Sequence, residues 1–188
     1  MSFTPPDFWA ELKGFLADDE AAALGVAAAQ AARLGPVLEI GSYCGKSTIC
    51  IGLGMADSDS LLFALDHHRG SEEHQPGEYF HDPDLLDPGS GQFDSFREFR
   101  RNIDRAGLGD RVVPIVAGSA LAARHWTTPL AMVFIDGGHS LDAALEDYRC
   151  WSGHILRGGV LAIHDVYPDA GEGGHAPYAI YRLALESG

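Results

Sequence analysis

Lysine is nearly missing from this chain of 188 residues. Only Lys13 and Lys46 stand among its 13 basic residues, against 27 acids, for a formal net charge of −14. A surface that negative repels phosphate backbones and anionic lipid, so neither nucleic acid nor a membrane is expected as a partner. Solubility alone also selects for acidity, and the scarce lysine reads as a compositional habit. Cysteine is sparse too: Cys44, Cys50 and Cys150 are an odd set with no C-x-x-C pair. That excludes a disulfide framework and predicts reduced, buried thiols. No apolar run approaches the roughly 18 residues of a membrane span. The N-terminus lacks a basic flank followed by an apolar stretch, so no signal peptide is read and a cytoplasmic location is expected. Nor is there an internal repeat, a linker or a low-complexity block beyond one alanine-rich segment. What remains is ordinary globular composition, 46% hydrophobic and 21% charged. It is enough for one substantial core, and a single domain over residues 1–188 is expected.

N-terminal helices are expected over about residues 7–34. The alanine-rich segment 18–33 opens on Asp18, Asp19 and Glu20 and closes at Leu34-Gly35-Pro36, which predicts a helix with acids in its first turn. Apolar runs at 37–40, 61–65, 112–116, 131–135 and 160–163 read as strands. Pro114 inside the third suggests a sheet edge. Helical patterns fall at 46–54, from Phe96 to Ile103, at about 141–155 with Gly158-Gly159 as the stop, and at 177–187. Strands and helices alternate, and the strands are continuous apolar runs. This predicts a doubly wound, Rossmann-like parallel α/β sheet buried on both faces. Ligands in such sheets gather at the carboxyl ends of the strands, near the point where strand order reverses. Gly41, Asp66, Gly118-Ser119, Asp136 and His164-Asp165 all fall just past a strand end.

From about residue 67 to 93 the periodicity collapses into Gly, Pro, His and acid. A stretch of that length without a period reads as a lid or substrate loop. Between Glu72 and Asp94 it carries seven acids and no lysine or arginine.

The segment Gly41-Ser42-Tyr43-Cys44-Gly45-Lys46-Ser47-Thr48 follows a strand and opens a helix. It resembles a phosphate-binding loop, but three residues separate its glycines where that motif needs four. A P-loop-like nucleotide-binding NTPase or phosphotransferase is therefore the alternative reading. Glu39-x-Gly41-x-x-x-Gly45, with Asp66 ending the next strand, resembles instead the first two motifs of class I S-adenosylmethionine-dependent methyltransferases. Residues Phe134-Ile135-Asp136-Gly137-Gly138-His139 and Gly158-Gly159-Val160-Leu161-Ala162-Ile163-His164-Asp165 narrow the resemblance. They are similar to the branch of O-methyltransferases that act on small polar molecules, sugars among them. The resemblance spans about residues 35–167. Residues 78–87 further resemble the sugar 1-O-methyltransferases of methylmannose polysaccharide synthesis.

That resemblance implies a cofactor site for S-adenosyl-L-methionine made by Glu39, Gly41, Ser42, Gly45, Ser47, Asp66, His67, Gly118, Ser119 and Asp136. Asp66 would accept hydrogen bonds from ribose hydroxyls, or merely cap the segment that follows. Asp136, His164 and Asp165 would hold Mg²⁺ or another divalent cation. The metal-assisted sugar enzymes typically carry a Glu-Asp pair where this chain has His164-Asp165; magnesium prefers oxygen, and Mn²⁺ or a water-completed shell would tolerate the histidine. His139, with Asp136 beside it, would be catalytic as the general base, or else cap the helix that begins near Ser140. Trp126 would frame the adenine or fill the core. The acceptor is expected to be a neutral small molecule or oligosaccharide. The resemblance implies a C-terminal antiparallel hairpin that is not expected within residues 1–188, which would leave one sheet edge open to pairing, as in a homodimer.

Overall fold

The computed structural model describes residues 3–169 and 175–187. Five strands, β1 (Val37–Ile40), β2 (Leu62–Asp66), β3 (Val112–Val116), β4 (Leu130–Ile135) and β5 (Ile155–Ile163), form one sheet in the order β3-β2-β1-β4-β5. Every pairing in it is parallel. The chain leaves β1 toward β2 and returns to the other side of β1 at β4, so the strand order reverses beside β1.

Alternation along the strands sorts their side chains into two layers. Val37, Leu62, Ala64, Met132 and Phe134 pack with α1 (Asp18–Ala31), α2 (Lys46–Gly54) and α3 (Phe96–Arg105). Leu38, Ile40, Leu65, Val133 and Ile135 pack on the other face against α5 (Leu141–Trp151) and α6 (Ala176–Ser187), a short α4 (Ser119–Ala123) lying beside them. β1 and β4 are buried throughout. The expectation of burial on both faces fails at the edges, where β3 and β5 keep exposed and half-exposed positions. Pro114 does sit on an edge strand, where its missing N–H breaks no central ladder.

Three boundaries differ from expectation. Near the N-terminus the first expected helix is a single 3₁₀ turn, Trp9–Glu11, and α1 ends at Ala31. α5 stops at Trp151, and β5 begins at Ile155 after a 3₁₀ turn. The Gly158-Gly159 pair therefore lies inside β5. Pairing jumps there from Leu130↔Ile155 to Met132↔Val160, and Gly158 takes a φ of 82°, so the glycines make a bulge and not a helix stop. Segment 67–93 holds two 3₁₀ turns, Glu72–His74 and Pro83–Leu85, and a bridge between Leu86 and Phe93. Leu85 and Phe93 bury themselves with Cys44 in a small third cluster. All three cysteines are free; Cys44 and Cys50 are buried, whereas Cys150 is only partly so. Among the described residues the sheet has no antiparallel strand, and no helix is long and apolar enough to cross a membrane.

Candidate active site

Strand register puts the site residues in one row. Ile40 pairs with Leu65 on one side and Ile135 on the other, and Ile135 pairs with Ile163. Backbone bonds continue the ladder past these ends: Gly41 N–H donates to Leu65 O, Asp136 N–H to Ile40 O, and His164 N–H to Ile135 O, at 2.9–3.0 Å. Gly41, Asp66, Asp136 and His164 thus share the carboxyl rim of the sheet.

The backbone is tight there. Gly41 has a φ of 90°, and a Cβ on it would lie 2.0 Å from Asp136 O, so no other residue fits. Among the described residues, the non-glycine residues with positive φ, Tyr43, His68 and Asp165, all stand just beyond β1, β2 and β5. Such conformations cost about 1–3 kcal/mol each and cluster at functional sites.

Two adjoining cavities open on this rim. One, of about 330 Å³, runs past Gly41, Asp66, His67, Gly118, Ser119 and Asp136. The other, of about 550 Å³, is lined by Ser42, Ser47, Phe15, Phe80, His164 and Asp165 among others. They share Gly41, Tyr43, Glu73, His74, Asp136 and His139. Asp66 is held by two backbone donors, Tyr43 N–H at 2.8 Å and His68 N–H at 2.7 Å, one to each oxygen. His67 Nδ1 accepts the N–H of Arg69.

Two residues expected at the cofactor line neither cavity. Glu39 is fully buried under the glycine loop, where Thr48 Oγ1 donates to its Oε2 and Oε1 has no partner. Burial pushes its carboxyl up to about 8. Gly45 is the left-handed N-cap of α2 and packs against Phe99. Trp126 packs edge-on against Phe63 and Trp151 and likewise lies outside both cavities.

Where the cavities meet, acids and imidazoles interlock. His139 Nε2 lies 3.3 Å from Asp165 Oδ2, and His139 Nδ1–H donates to Glu73 Oε2 at 3.1 Å. His164 Nε2–H donates to Glu20 at 3.2 Å. Its Nδ1 is buried 3.1 Å from Asp136 Oδ1 and 3.2 Å from Asp165 Oδ2, without the alignment of a hydrogen bond. Burial alone would lower His164, but the two facing carboxylates outweigh it and push the imidazole up to about 11. The Asp165 hydrogen bond raises His139 above its ordinary value, and the two imidazoles hold Asp165 well below the usual carboxylate range. Burial raises Asp136.

Ligand atoms of Asp136, His139 and Asp165 all lie within 4.8 Å of one another, which suits a metal ion. This set contains His139 where the sequence pointed to His164. His164 Nδ1, between the same two carboxylates, would join it only by giving up the proton that they hold there.

Glu73, Glu20 and His74 were not singled out as site residues in the sequence. Ser71 N–H donates to His74 Nδ1, so the proton is on Nε2, which is buried and unpartnered in the cavity wall. Glu73 and His74 lie in the aperiodic loop and Glu20 in the first turn of α1, where acid reads as capping, so no local pattern marks them.

The family described as "Methyltransferase domain" matches residues 38–166, more than two thirds of the chain. The chain belongs to this methyltransferase family. Solved structures agree on the fold. The SAH-bound methyltransferase of Podospora anserina is 15% identical, with a TM-score of 0.67, covering 99% of this chain and 80% of that one. An O-methyltransferase from Bacillus cereus in complex with SAH is 19% identical (TM-score 0.66; 97% and 80% covered). TomG from Streptomyces achromogenes, an O-methyltransferase of tomaymycin synthesis in complex with SAM, is 16% identical (TM-score 0.62; 92% and 70% covered). The P-loop alternative finds no support in this methyltransferase. Lys46 donates to Gly14 O and lies over the Trp9 ring, and no phosphate-length loop precedes it.

Proposed function

We propose that this methyltransferase moves the methyl group of S-adenosylmethionine to a hydroxyl of a neutral polar small molecule. The acceptor is a saccharide; the resemblance of residues 78–87 favours the 1-hydroxyl of a methylated mannoside. The observation that carries this reading is the meeting of the two cavities at Asp136 and His139. The smaller passes the glycine loop, Asp66 and the Gly118-Ser119 turn, which suits S-adenosylmethionine. The larger ends on an imidazole, which suits an acceptor that must lose a proton.

In the transfer the methyl–sulfur bond breaks as the methyl–oxygen bond forms. The thioether leaves neutral, and the hydroxyl proton goes to a base. Asp66 has one backbone donor on each oxygen, which fixes its plane and leaves a lone pair on each for ribose hydroxyls. His139 Nε2 takes the acceptor proton. His74 Nε2–H and Ser42 Oγ, both buried without partners in the cavity wall, would bind further hydroxyls of the acceptor. Asp136, Asp165 and His164 would hold a divalent cation, which would make the acceptor hydroxyl more acidic. His139 is left to the proton, since one nitrogen cannot serve both tasks.

Calorimetry with S-adenosylhomocysteine tests the cofactor, and the absence of binding would sink the whole reading. Methyl transfer to partly methylated sugars tests the acceptor. His139→Ala is expected to lower turnover about 10²- to 10⁴-fold, the usual worth of a positioned base. Near-wild-type turnover in that variant would remove His139 from the role. Chelation is expected to abolish activity and Mg²⁺ or Mn²⁺ to restore it; activity surviving exhaustive chelation would remove the ion.

A further inference from the structure

Glu73 is carried on the loop that borders both cavities, yet its carboxylate is spent on one partner across 66 residues of chain, the Nδ1–H of His139. We propose that Glu73 is the positioning residue for His139, so that the substrate loop sets the base as it seats. The proposal rests on the reading of His139 as the proton acceptor.

A neutral imidazole has one N–H and one lone pair, and a carboxylate can only accept. Glu73 therefore holds an Nδ1–H and fixes the plane of the ring, so that Nε2 is the nitrogen turned into the acceptor cavity, 3.3 Å from Asp165. When the acceptor O–H proton moves to Nε2, the imidazolium keeps its Nδ1–H on Glu73, whose charge then opposes the new positive charge. The proton later leaves from Nε2 to water.

The loop holds Glu73 in place. Phe80 N–H donates to Glu73 O at 3.1 Å, and Ser71 holds His74 Nδ1. The His74 ring lies 5.1 Å from Tyr43 and 5.4 Å from Phe93, centroid to centroid. Folding energy does not explain the pair. The Glu73 and His139 side chains are 40% and 32% exposed, and exposed pairs contribute only about 0–1 kcal/mol.

The test is steady-state and single-turnover kinetics on Glu73→Ala, Glu73→Gln, His139→Ala and the double variant, with S-adenosylhomocysteine calorimetry reporting that each is folded. Glu73→Ala is expected to lower kcat roughly 10- to 100-fold, as loss of an orienting partner does, with both KM values changed less than about threefold. Glu73→Gln, which keeps an oxygen for Nδ1–H but no charge, recovers part of the loss. In the His139→Ala background, Glu73→Ala causes no further loss, because a residue acting through His139 has nothing left to act on. Wild-type kcat in Glu73→Ala beside an inactive His139→Ala would overturn the proposal and leave the base standing. An equal loss in both backgrounds would also overturn it, placing Glu73 on the loop or the substrate. Wild-type turnover in His139→Ala would overturn both.

Discussion

Glu39 shows how much a single side chain's direction decides. In β1, Val37 faces the layer of α1 and α2 while Leu38 and Ile40 face the other, so alternation sends Glu39 toward α2, where Thr48 meets it. The motif places this acid beside the glycine loop, but spacing does not say whether the carboxyl reaches past the loop or stays under it. It stays under it. Burial raises Glu39 from 4.5 to about 8, so the folded protein keeps a proton that the unfolded chain gives up. The stability this provides is complete below about pH 4.5 and drains away as pH rises toward 8. Glu39→Gln has no such proton, so its melting temperature is expected to gain on the wild type steadily between pH 5 and 8. Parallel melting curves across that range would show that the carboxyl titrates normally. The strained residues Tyr43, His68 and Asp165 were equally out of reach of the sequence, because nothing in a tyrosine, histidine or aspartate announces a positive φ.

Among the elements, the loop over residues 67–93, which contributes lining to both cavities, was the least legible. Its existence was readable from lost periodicity. Its two 3₁₀ turns and its buried Leu85 and Phe93 were not, since they answer to contacts with Cys44 and Tyr43 that lie far away in sequence. The strands fared better, because a continuous apolar run has few other uses, and the four rim positions Gly41, Asp66, Asp136 and His164 came with them. β5 begins ahead of its apolar run, because Gly-Gly reads as a stop wherever a bulge is invisible in the sequence. Lys13, one of only two lysines, ties the loop to the N-terminal segment through Asp82 at 2.5 Å and Asp84 at 3.0 Å. Phe15 adds a ring contact to Phe80 at 4.8 Å. An ion pair this exposed contributes up to about 1 kcal/mol. Lys13→Ala is therefore expected to raise the acceptor KM about two- to fivefold, with little change in melting temperature. The same rise should appear in the wild type at high salt, which screens the pair. An unchanged acceptor KM would mean that the loop is seated by its aromatic contacts alone.

Over the whole molecule, the net charge of −14 acts together with the local acids. Glu73, Asp136 and Asp165 all line the larger cavity, and among the described residues Lys46 is the only lysine or arginine that lines it. A cationic sulfonium gains from such a field, a neutral sugar is indifferent to it, and a phosphate ester is repelled. The methyltransferase is therefore expected to use a neutral sugar at least about 100-fold more efficiently than the phosphate ester of the same sugar at low ionic strength. Two contributions make up that ratio, and salt separates them. Raising ionic strength from about 0.01 to 1 M shortens the Debye length from roughly 30 to 3 Å, which removes the long-range repulsion but not the contact with Glu73 in the cavity wall. The ratio of kcat/KM for the ester to that for the neutral sugar should accordingly climb with salt and level off below one, the shared loss from the screened Lys13 pair cancelling between the two. An ester used as well as the neutral sugar at low salt would show that the acidity is solvation alone, with no part in choosing the acceptor.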